Sequence, residues 1–437
     1  MDNLCINEVE FNKPFYNGLE FNAPVHGTWN IVHIGMNVPE AIQIYVCSKN
    51  CMRGVVLTAA EMNATDRFSY VIIEEKEMLY GDVENLTIEG VTDVLNKRKE
   101  LPRAVELFTV CVHHFLGCDQ NRIYRELEKR FPTVTFFRCY MDPIMQKQGL
   151  TPDQKLRRAI FEKLPAYDED EVSKRTISVL GSDFLLDEQC DILNMANRFN
   201  LRVNQLPACK SFDEYLLLSK ANVLVAIYPP AKAGVSACAA RIQNDFLYLP
   251  SSFSYEEIDT EIIELFGRFS IDKNECLSYC DQMKNKCNEL ISCIKKQIGN
   301  TELVIDYTVH PRILGLTRLL LSNGFNVTKI YADSFNPEEE KDFIWLVKNY
   351  PDTRILPTVN HNMRHTSRIN EKPVVAIGQK AAWFEETSHF VNLVSGGNLW
   401  GYDGIKKIFE MILDAFLYEK DTRDIVPRKG LGCESCL

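Results

Sequence analysis

Cysteine is the residue type whose number and spacing in this chain point most clearly to chemistry. The sequence contains 15 cysteines among 437 residues. An odd number in a long chain without a secretory signal argues against a fully paired disulfide framework and for a reducing compartment. Thiolates bind iron and other soft metals, so a metal or redox centre is a candidate function. Free cysteine is also a common small core residue, which is the simpler alternative for most of the fifteen.

Four of these cysteines lie in segments that are candidates for ligands. Cys51 closes the stretch HGTWNIVHIGMNVPEAIQIYVCSKNC, which begins at His26, and Cys111 lies in TVCVHHFLGCD. The terminal pair Cys433 and Cys436 has the C-x-x-C spacing that suits metal binding or disulfide exchange. The pair is half a site, so it could complete a cluster on a neighbouring subunit, deliver metal or electrons, or be inert.

A further group of cysteines lies between Asn274 and Gly299, a segment that we predict to be one long helix. Cys276, Cys280 and Cys287 share one helix face because they are separated by 4 and 7 residues, whereas Cys293 points away. A single helix face seldom forms a cluster site alone, so packing in the core is the preferred interpretation.

From about residue 100 onward, short β-branched runs alternate with amphipathic stretches, which predicts parallel sheets with crossover helices. The predicted strands are Val105–Cys111, Val134–Cys139, Ile177–Leu180, Val223–Ile227, Leu303–Asp306, Val327–Tyr331, Ile355–Val359, Val374–Ile377 and Phe390–Val394. The predicted helices include Gln120–Arg130, Asp187–Phe199, Tyr255–Phe269, Ile313–Ser322, Pro337–Lys348 and Gly404–Tyr418. Two segments, ISVLGSDFLLDEQCDILNMANRFNLRV and LVIDYTVHPRILGLTRLLLSNGFNVTKIYA, repeat the order strand, helix, strand.

These patterns predict an α/β protein of three Rossmann-like domains, each with a parallel sheet flanked by helices. We place an N-terminal domain with the cysteine loops at 1–168, a second domain at 169–275 and a third at 300–420. A linking helix at 276–299 joins the second domain to the third. The tail at 421–437, which carries the C-x-x-C pair, is expected to be exposed and flexible.

Composition and missing motifs exclude several classes of protein. The net charge of -11 disfavours non-specific binding to nucleic acid or to anionic membranes, and no apolar run is long enough to span a bilayer. We therefore expect a cytoplasmic protein without a nucleic-acid or membrane partner. The sequence contains no GxGxxG, GK[ST], HExxH or GxSxG motif, so the common dinucleotide, NTP, zinc-protease and hydrolase signatures are absent.

The cysteine segments resemble component 1 of nitrogenase and its relatives, which include the molybdenum-iron protein, cofactor-scaffold subunits and light-independent protochlorophyllide reductase subunits. VCSKNC resembles the HGxxGC loop of that family, and TVCVHHFLGCD resembles its next cysteine segment, with Gly117 and Asp119 near the following glycine and acidic residue. In the family these cysteines hold an iron-sulfur cluster between two homologous subunits. The resemblance implies that Cys51 and Cys111 bind such a cluster, of the 4Fe-4S type.

The sequence departs from the family pattern at several positions. The first ligand position falls at or next to His26, which implies either a mixed ligand set or a vacant position. Val46 and Cys47 replace the His-Gly of the loop, and Asn50 replaces the glycine before the ligand. Since two or three ligands per chain cannot complete a cubane, the resemblance implies a partner subunit, either identical or homologous.

The resemblance continues through the segment Ile177–Ile227 and through GYDGIKKIFEMILD near the C-terminus. The cysteine that holds the large cofactor of nitrogenase would align near Ile227, where no thiol is present. The histidine of that site would align near Val391, where His389 is the only imidazole close by. We therefore expect no nitrogenase-type cofactor.

Three functional hypotheses follow from the resemblance. The preferred one is an iron-sulfur oxidoreductase subunit that accepts electrons from an ATP-dependent iron-sulfur reductase and passes them to a substrate between the domains. The second is a non-catalytic scaffold that assembles or carries a metallocluster. The third is a cluster-free structural subunit, which the irregular loop around Cys51 favours.

Overall fold

The computed structural model describes residues 4–15, 18–21, 23, 25, 31–142, 149–168, 170–365, 373–397 and 399–422. His26, Cys433 and Cys436 lie outside these residues. Within the described part, the strands form three sheets, and each is parallel apart from one short antiparallel strand at the edge of the third. The predicted class, three Rossmann-like units with parallel sheets flanked by helices, is confirmed.

The helices and strands are numbered in chain order. The strands are β1 (Leu4–Cys5), β2 (Ala41–Cys47), β3 (Phe68–Ile72), β4 (Ala104–Val110), β5 (Thr135–Met141), β6 (Ser173–Leu180), β7 (Arg202–Gln205), β8 (Ala221–Ala226), β9 (Asp245–Tyr248), β10 (Glu302–Asp306), β11 (Asn326–Tyr331), β12 (Arg354–Leu356), β13 (Val374–Ile377) and β14 (Phe390–Val391). The α-helices are α1 (Ile31–Met36), α2 (Lys49–Glu61), α3 (Glu75–Tyr80), α4 (Val83–Asn96), α5 (Cys111–Phe115), α6 (Gln120–Arg130), α7 (Pro152–Glu162), α8 (Asp191–Arg198), α9 (Phe212–Leu216), α10 (Lys232–Ile242), α11 (Tyr255–Gly267), α12 (Lys273–Ile298), α13 (Ile313–Ser322), α14 (Glu340–Asn349), α15 (Gln379–Glu385) and α16 (Gly401–Leu417).

The first sheet has the strand order β3-β2-β4-β5. Every residue of its two central strands, β2 and β4, is buried, as expected for a parallel sheet that is covered by helices on both faces. The chain runs from β2 to β3 in one direction and from β4 to β5 in the other. The strand order therefore reverses between β2 and β4, which creates a crevice at their carboxyl ends.

The second and third sheets follow the same principle. Their orders are β7-β6-β8-β9 and β1-β12-β11-β10-β13-β14, so the direction reverses between β6 and β8 and between β10 and β13. The two repeated sequence segments form the strand-helix-strand units β6-α8-β7 and β10-α13-β11, and both pairs of strands are parallel. The repeat recognised in the sequence thus corresponds to one pair of adjacent parallel strands in each of two sheets.

The start of the chain adds to the third sheet instead of the first. β1 pairs antiparallel with β12, and the backbone N–H of Ile6 donates to the carbonyl of Thr353. Ile6 is fully buried in the core that the second and third sheets share. Burial of the Ile6 side chain therefore holds residues 4–8 against the third sheet, although the first sheet follows them in the sequence.

The long helix α12 has the position that the sequence predicted. Cys276, Cys280 and Cys287 are buried against α11 and α16, whereas Cys293 is exposed. Among the described residues, no group of three His, Cys, Asp or Glu side chains could hold a metal ion. Cys276, Cys280 and Cys287 are therefore core residues where these helices pack together.

No helix in the described part of the chain is long and apolar enough to cross a membrane.

Several predicted elements end at other residues for local reasons. Cys111 begins α5 instead of closing a strand. The strand predicted to reach Val359 ends at Leu356, because Pro357 has no N–H to donate to a ladder. The helix predicted from Asp187 begins at Asp191, since a turn closed by the Cys190 N–H and the Asp187 carbonyl precedes it.

Candidate functional site

Cys51 and Cys111 lie at the carboxyl edge of the first sheet, on either side of its switch point. Tyr45 of β2 pairs with Phe108 of β4, and each strand ends two residues later. Cys111 is the first residue after β4, and Cys51 lies in the first turn of α2, directly after β2. Ligands of open α/β sheets bind in such crevices, so this edge is a candidate binding site.

Cys51 is exposed at the N-terminus of α2. Its sulfur accepts a hydrogen bond from Ser48 Oγ at 3.4 Å. The positive end of the helix dipole and the donated hydrogen bond both direct partial positive charge towards this sulfur. Both features suit a sulfur that binds a metal.

Cys47, at the end of β2, is unsuited to the same role. Its side chain is fully buried, and burial, together with the nearby Cys51, raises the pKa of the Cys47 thiol to about 12. Exposing this thiol to a metal and removing its proton would both cost free energy. The structure therefore separates the two cysteines of VCSKNC into one core residue and one candidate ligand.

Cys111 is half-buried at the start of α5, next to His113 and His114. His113 Nδ1 accepts from the N–H of Val110 at 3.2 Å, and its Nε2 lies 3.1 Å from Thr87 Oγ1. Burial lowers the pKa of His113 to about 4, so it is a neutral core residue. His114 is partly exposed and pairs with Asp142 at 3.2 Å. One histidine is therefore packed in the core and the other is partly exposed.

The donor set at this edge fits part of an iron-sulfur cluster. Two thiol side chains rise from neighbouring strand ends, one exposed and one half-buried, and thiolates are the ligands that such clusters require. Within the residues that the structure describes, no third ligand completes the set in this chain. The predicted contribution of His26 falls outside the described residues, as does that of the Cys433 and Cys436 pair.

Below this edge, Glu106 lies fully buried in the middle of β4. Its Oε2 accepts from Gln43 Nε2 at 3.0 Å, whereas Oε1 has no hydrogen-bond partner among the described residues. A Cβ on Gly35 of α1 would lie 1.9 Å from Oε2, so only glycine allows the helix to approach this closely. Burial raises the pKa of Glu106 to about 7, against the smaller opposing effects of Gln43 and Arg67.

This carboxyl makes the stability of the first sheet depend on pH. The folded chain retains a proton that the unfolded chain releases above its ordinary pKa, so the contribution of Glu106 is full below about pH 4.5 and is lost as pH rises towards about 7. Relative to Glu106→Gln, wild type should lose on the order of 3 kcal/mol over this range. Urea denaturation midpoints across the pH series measure it. The exposed Glu100→Gln should follow wild type, and equal pH profiles for wild type and Glu106→Gln would contradict the assignment.

A second polar site lies where the carboxyl edges of the second and third sheets meet. Its walls come from the segments after β6, β8, β10 and β14, and they include Asp183, Tyr228, His310 and Ser395. The cavity between them is about 20 Å³, which is room for about one water molecule. The cleft is thus nearly filled by its own side chains.

His310 is the imidazole of this cleft, and the sequence analysis did not select it. Its Nδ1 accepts from the N–H of Arg312 at 2.9 Å, and its Nε2 lies 3.2 Å from Ser251 Oγ. Ser251 donates its own proton to the Leu399 carbonyl, so Nε2 must be the donor to Ser251. Burial lowers the pKa of His310 to about 3, which keeps the ring neutral with both nitrogens occupied.

The cleft does not fit a large metal cofactor. None of its described lining residues is a cysteine. Ile227 lies near the position to which the resemblance assigns the cofactor cysteine. His389 does not line the cleft, because it donates from Nδ1 to the carbonyl of Ala415 in α16. The side chains that line the cleft also leave little space between them.

A buried ion pair closes the cleft from the side of the first sheet. Arg157 of α7 makes two hydrogen bonds to Asp183, at 2.9 and 2.6 Å, and one to the Gly181 carbonyl at 2.7 Å. The Tyr228 ring packs on the guanidinium, 5.0 Å from its central carbon. The switch point of the second sheet is therefore occupied by an arginine from the preceding helix.

Comparisons with known proteins identify the family and the fold of the chain. The family described as nitrogenase component 1 type oxidoreductase matches residues 32–417 of the sequence. A solved structure of nitrogenase Cp1 at pH 6.5 has a TM-score of 0.70 at 11% sequence identity, covering 92% of this chain and 94% of that chain. A structure of nitrogenase Cp1 at pH 5 has a TM-score of 0.64 at 12% identity, with 93% and 91% covered. No curated protein matches the sequence.

Proposed function

Since the chain belongs to the nitrogenase component 1 type oxidoreductase family, we propose that it is an oxidoreductase subunit that holds part of an iron-sulfur cluster through Cys51 and Cys111. The observation that carries the proposal is the position of these thiols at the switch point of the first sheet, on the ends of two adjacent strands. When bound, such a cluster would accept and release single electrons. The resemblance recognised in the cysteine segments agrees with the family match.

The remaining ligands would come from a second subunit, identical or homologous to this chain. Exposed apolar side chains at the same edge support such a contact: Phe115 and Leu116 follow Cys111, and Leu79 and Tyr80 end the helix after β3. Isolated exposed apolar residues are ordinary, but several of them around an incomplete ligand set favour a protein interface. His26, if it reaches this edge, would add a ligand from this chain.

We propose a separate ATP-dependent iron-sulfur reductase as the source of electrons and the cytoplasm as the compartment. The family works with such a reductase, and this sequence has no phosphate-binding loop of its own. A 4Fe-4S cluster is the proposed type. The net charge of -11 and the odd number of cysteines, 15, agree with a reducing, cytoplasmic environment.

The substrate of the preferred function would lie in the cleft between the second and third sheets. With a cavity of about 20 Å³, the cleft as it stands accepts only a very small molecule. The same observation favours a second candidate function, a scaffold or carrier subunit that supplies ligands but reduces nothing itself. A terminal Cys433 and Cys436 pair that delivers metal would suit that role.

Two measurements on the anaerobically purified protein test these proposals. Iron and acid-labile sulfide analysis with EPR, on the chain alone and with its co-purifying partner, should find a cluster. A protein without iron in either form would instead support the cluster-free structural hypothesis. ATP-dependent substrate reduction with a reductase then separates the two remaining functions, because a scaffold would carry the cluster without turnover.

A further inference from the structure

Ser48 is the N-cap residue of α2, but its side chain makes no capping hydrogen bond. An N-cap serine ordinarily accepts a hydrogen bond from a backbone N–H in the first turn. Ser211 does so at the start of α9, where its Oγ accepts from the N–H of Glu214 at 3.2 Å. Ser48 makes no such bond, and its hydroxyl is directed to the Cys51 sulfur at 3.4 Å.

The backbone of the first turn explains why the hydroxyl is available. The N–H groups of Cys51 and Met52 both donate to the carbonyl of Ser48, at 3.1 and 3.2 Å. The first turn is therefore closed by main-chain bonds, and the serine proton can point to sulfur. Since Ser48 is half-buried and Cys51 is exposed, the hydroxyl approaches the sulfur from the protein side and leaves the outer side open.

We propose that Ser48 is a positioning residue for Cys51: the Ser48 hydroxyl donates a hydrogen bond to the Cys51 sulfur and fixes the direction of that sulfur. Where the sulfur binds a cluster, which rests on the function proposed above, the same bond raises the reduction potential. Hydrogen bonds to cluster sulfurs raise the potential because they favour the more negative, reduced state.

Two variants separate this role from that of a helix cap. Ser48→Gly removes the hydroxyl but keeps a residue that begins helices well, and Ser48→Thr restores the hydroxyl. The matched control is Ser211→Gly, which removes a true capping hydroxyl far from Cys51. Circular dichroism should show the same helix content in all three variants and wild type.

The first readout needs no cluster. The cluster-free chain is treated with iodoacetamide at pH 7, and alkylation of Cys51 is followed by peptide mass mapping relative to Cys293, which is also exposed. Ser48→Gly should change the Cys51 rate a few-fold, on the scale of one hydrogen bond, because the sulfur loses the donor that fixes its direction. Ser48→Thr and Ser211→Gly should react like wild type.

The second readout is the midpoint potential of the reconstituted cluster, which should shift to a more negative value in Ser48→Gly and return in Ser48→Thr. Equal alkylation ratios in wild type and Ser48→Gly would overturn the inference whether or not a cluster binds. A wild-type chain that binds no cluster would overturn the proposed function, and the alkylation ratio would then decide the role of Ser48 by itself.

Discussion

Replacing either Cys51 or Cys111 with alanine is expected to remove the iron and sulfide of the proposed cluster from the anaerobically purified protein. Each thiolate is a direct ligand in the proposed site, and the described residues of one chain supply too few ligands to compensate for a lost one. Loss of supporting contacts alone lowers metal affinity by about 10- to 100-fold, so loss of a ligand should exceed the lower end of that range. Iron content and the EPR signal per chain measure the effect.

The other cysteines supply controls within the same molecule. Cys293→Ala removes an exposed thiol on α12, and Cys118→Ala removes a half-buried thiol close to Cys111 in sequence. Both should keep wild-type iron content. Unfolding does not account for a loss in Cys51→Ala, since that side chain is exposed. A Cys51→Ala/Cys111→Ala double variant with unchanged iron and EPR signal would refute the ligand assignment.

The sequence was informative about these ligands because each is marked by local signals. Cys111 follows a β-branched run that is fully buried in the structure, and Cys51 lies in a segment that resembles a known cysteine loop. The strand before Cys51 was not predicted, because AIQIYVC places the polar Gln43 in the middle of a buried run. Gln43 is satisfied by Glu106, a partner 63 residues away, and no local pattern shows that pairing.

The cleft was less predictable because long-range contacts build it. His310 follows β10 in a repeated unit that the sequence analysis identified, but its two partners fix it only in the folded chain. His389, the only imidazole close to the position that the resemblance indicates, contacts the Ala415 carbonyl of α16 and does not line the cleft. Arg157 looks like one of several basic residues on an amphipathic helix until Asp183 is brought against it.

Arg157→Met should be one of the most destabilising single substitutions in the described part of the chain. The guanidinium is 2% exposed and its partner Asp183 is 4% exposed. Removing one member of a buried, hydrogen-bonded pair leaves an uncompensated charge, at a cost of about 3–5 kcal/mol. Urea denaturation in reducing buffer, followed by circular dichroism, measures the change.

The neighbouring residue provides the matched control for that loss. Arg158 pairs with Glu162, and both side chains are about half exposed, at 51% and 48%. Arg158→Met should therefore change stability by no more than about 0.5 kcal/mol. An equal loss of unfolding free energy in Arg157→Met and Arg158→Met would contradict a stabilising role specific to the buried pair.

The acid side of the pH profile identifies the cause of the Arg157→Met defect. Burial raises the pKa of Asp183 even in wild type, where Arg157 opposes the effect. Without the guanidinium the folded-state pKa rises further, so the stability of the variant is greatest below the unfolded pKa of about 3.9 and is lost as pH rises. The deficit relative to wild type should thus shrink at low pH. In Arg157→Met/Asp183→Asn the buried charge is gone, and most of the deficit at neutral pH should disappear with it, whereas a deficit caused only by lost packing would persist in the double variant.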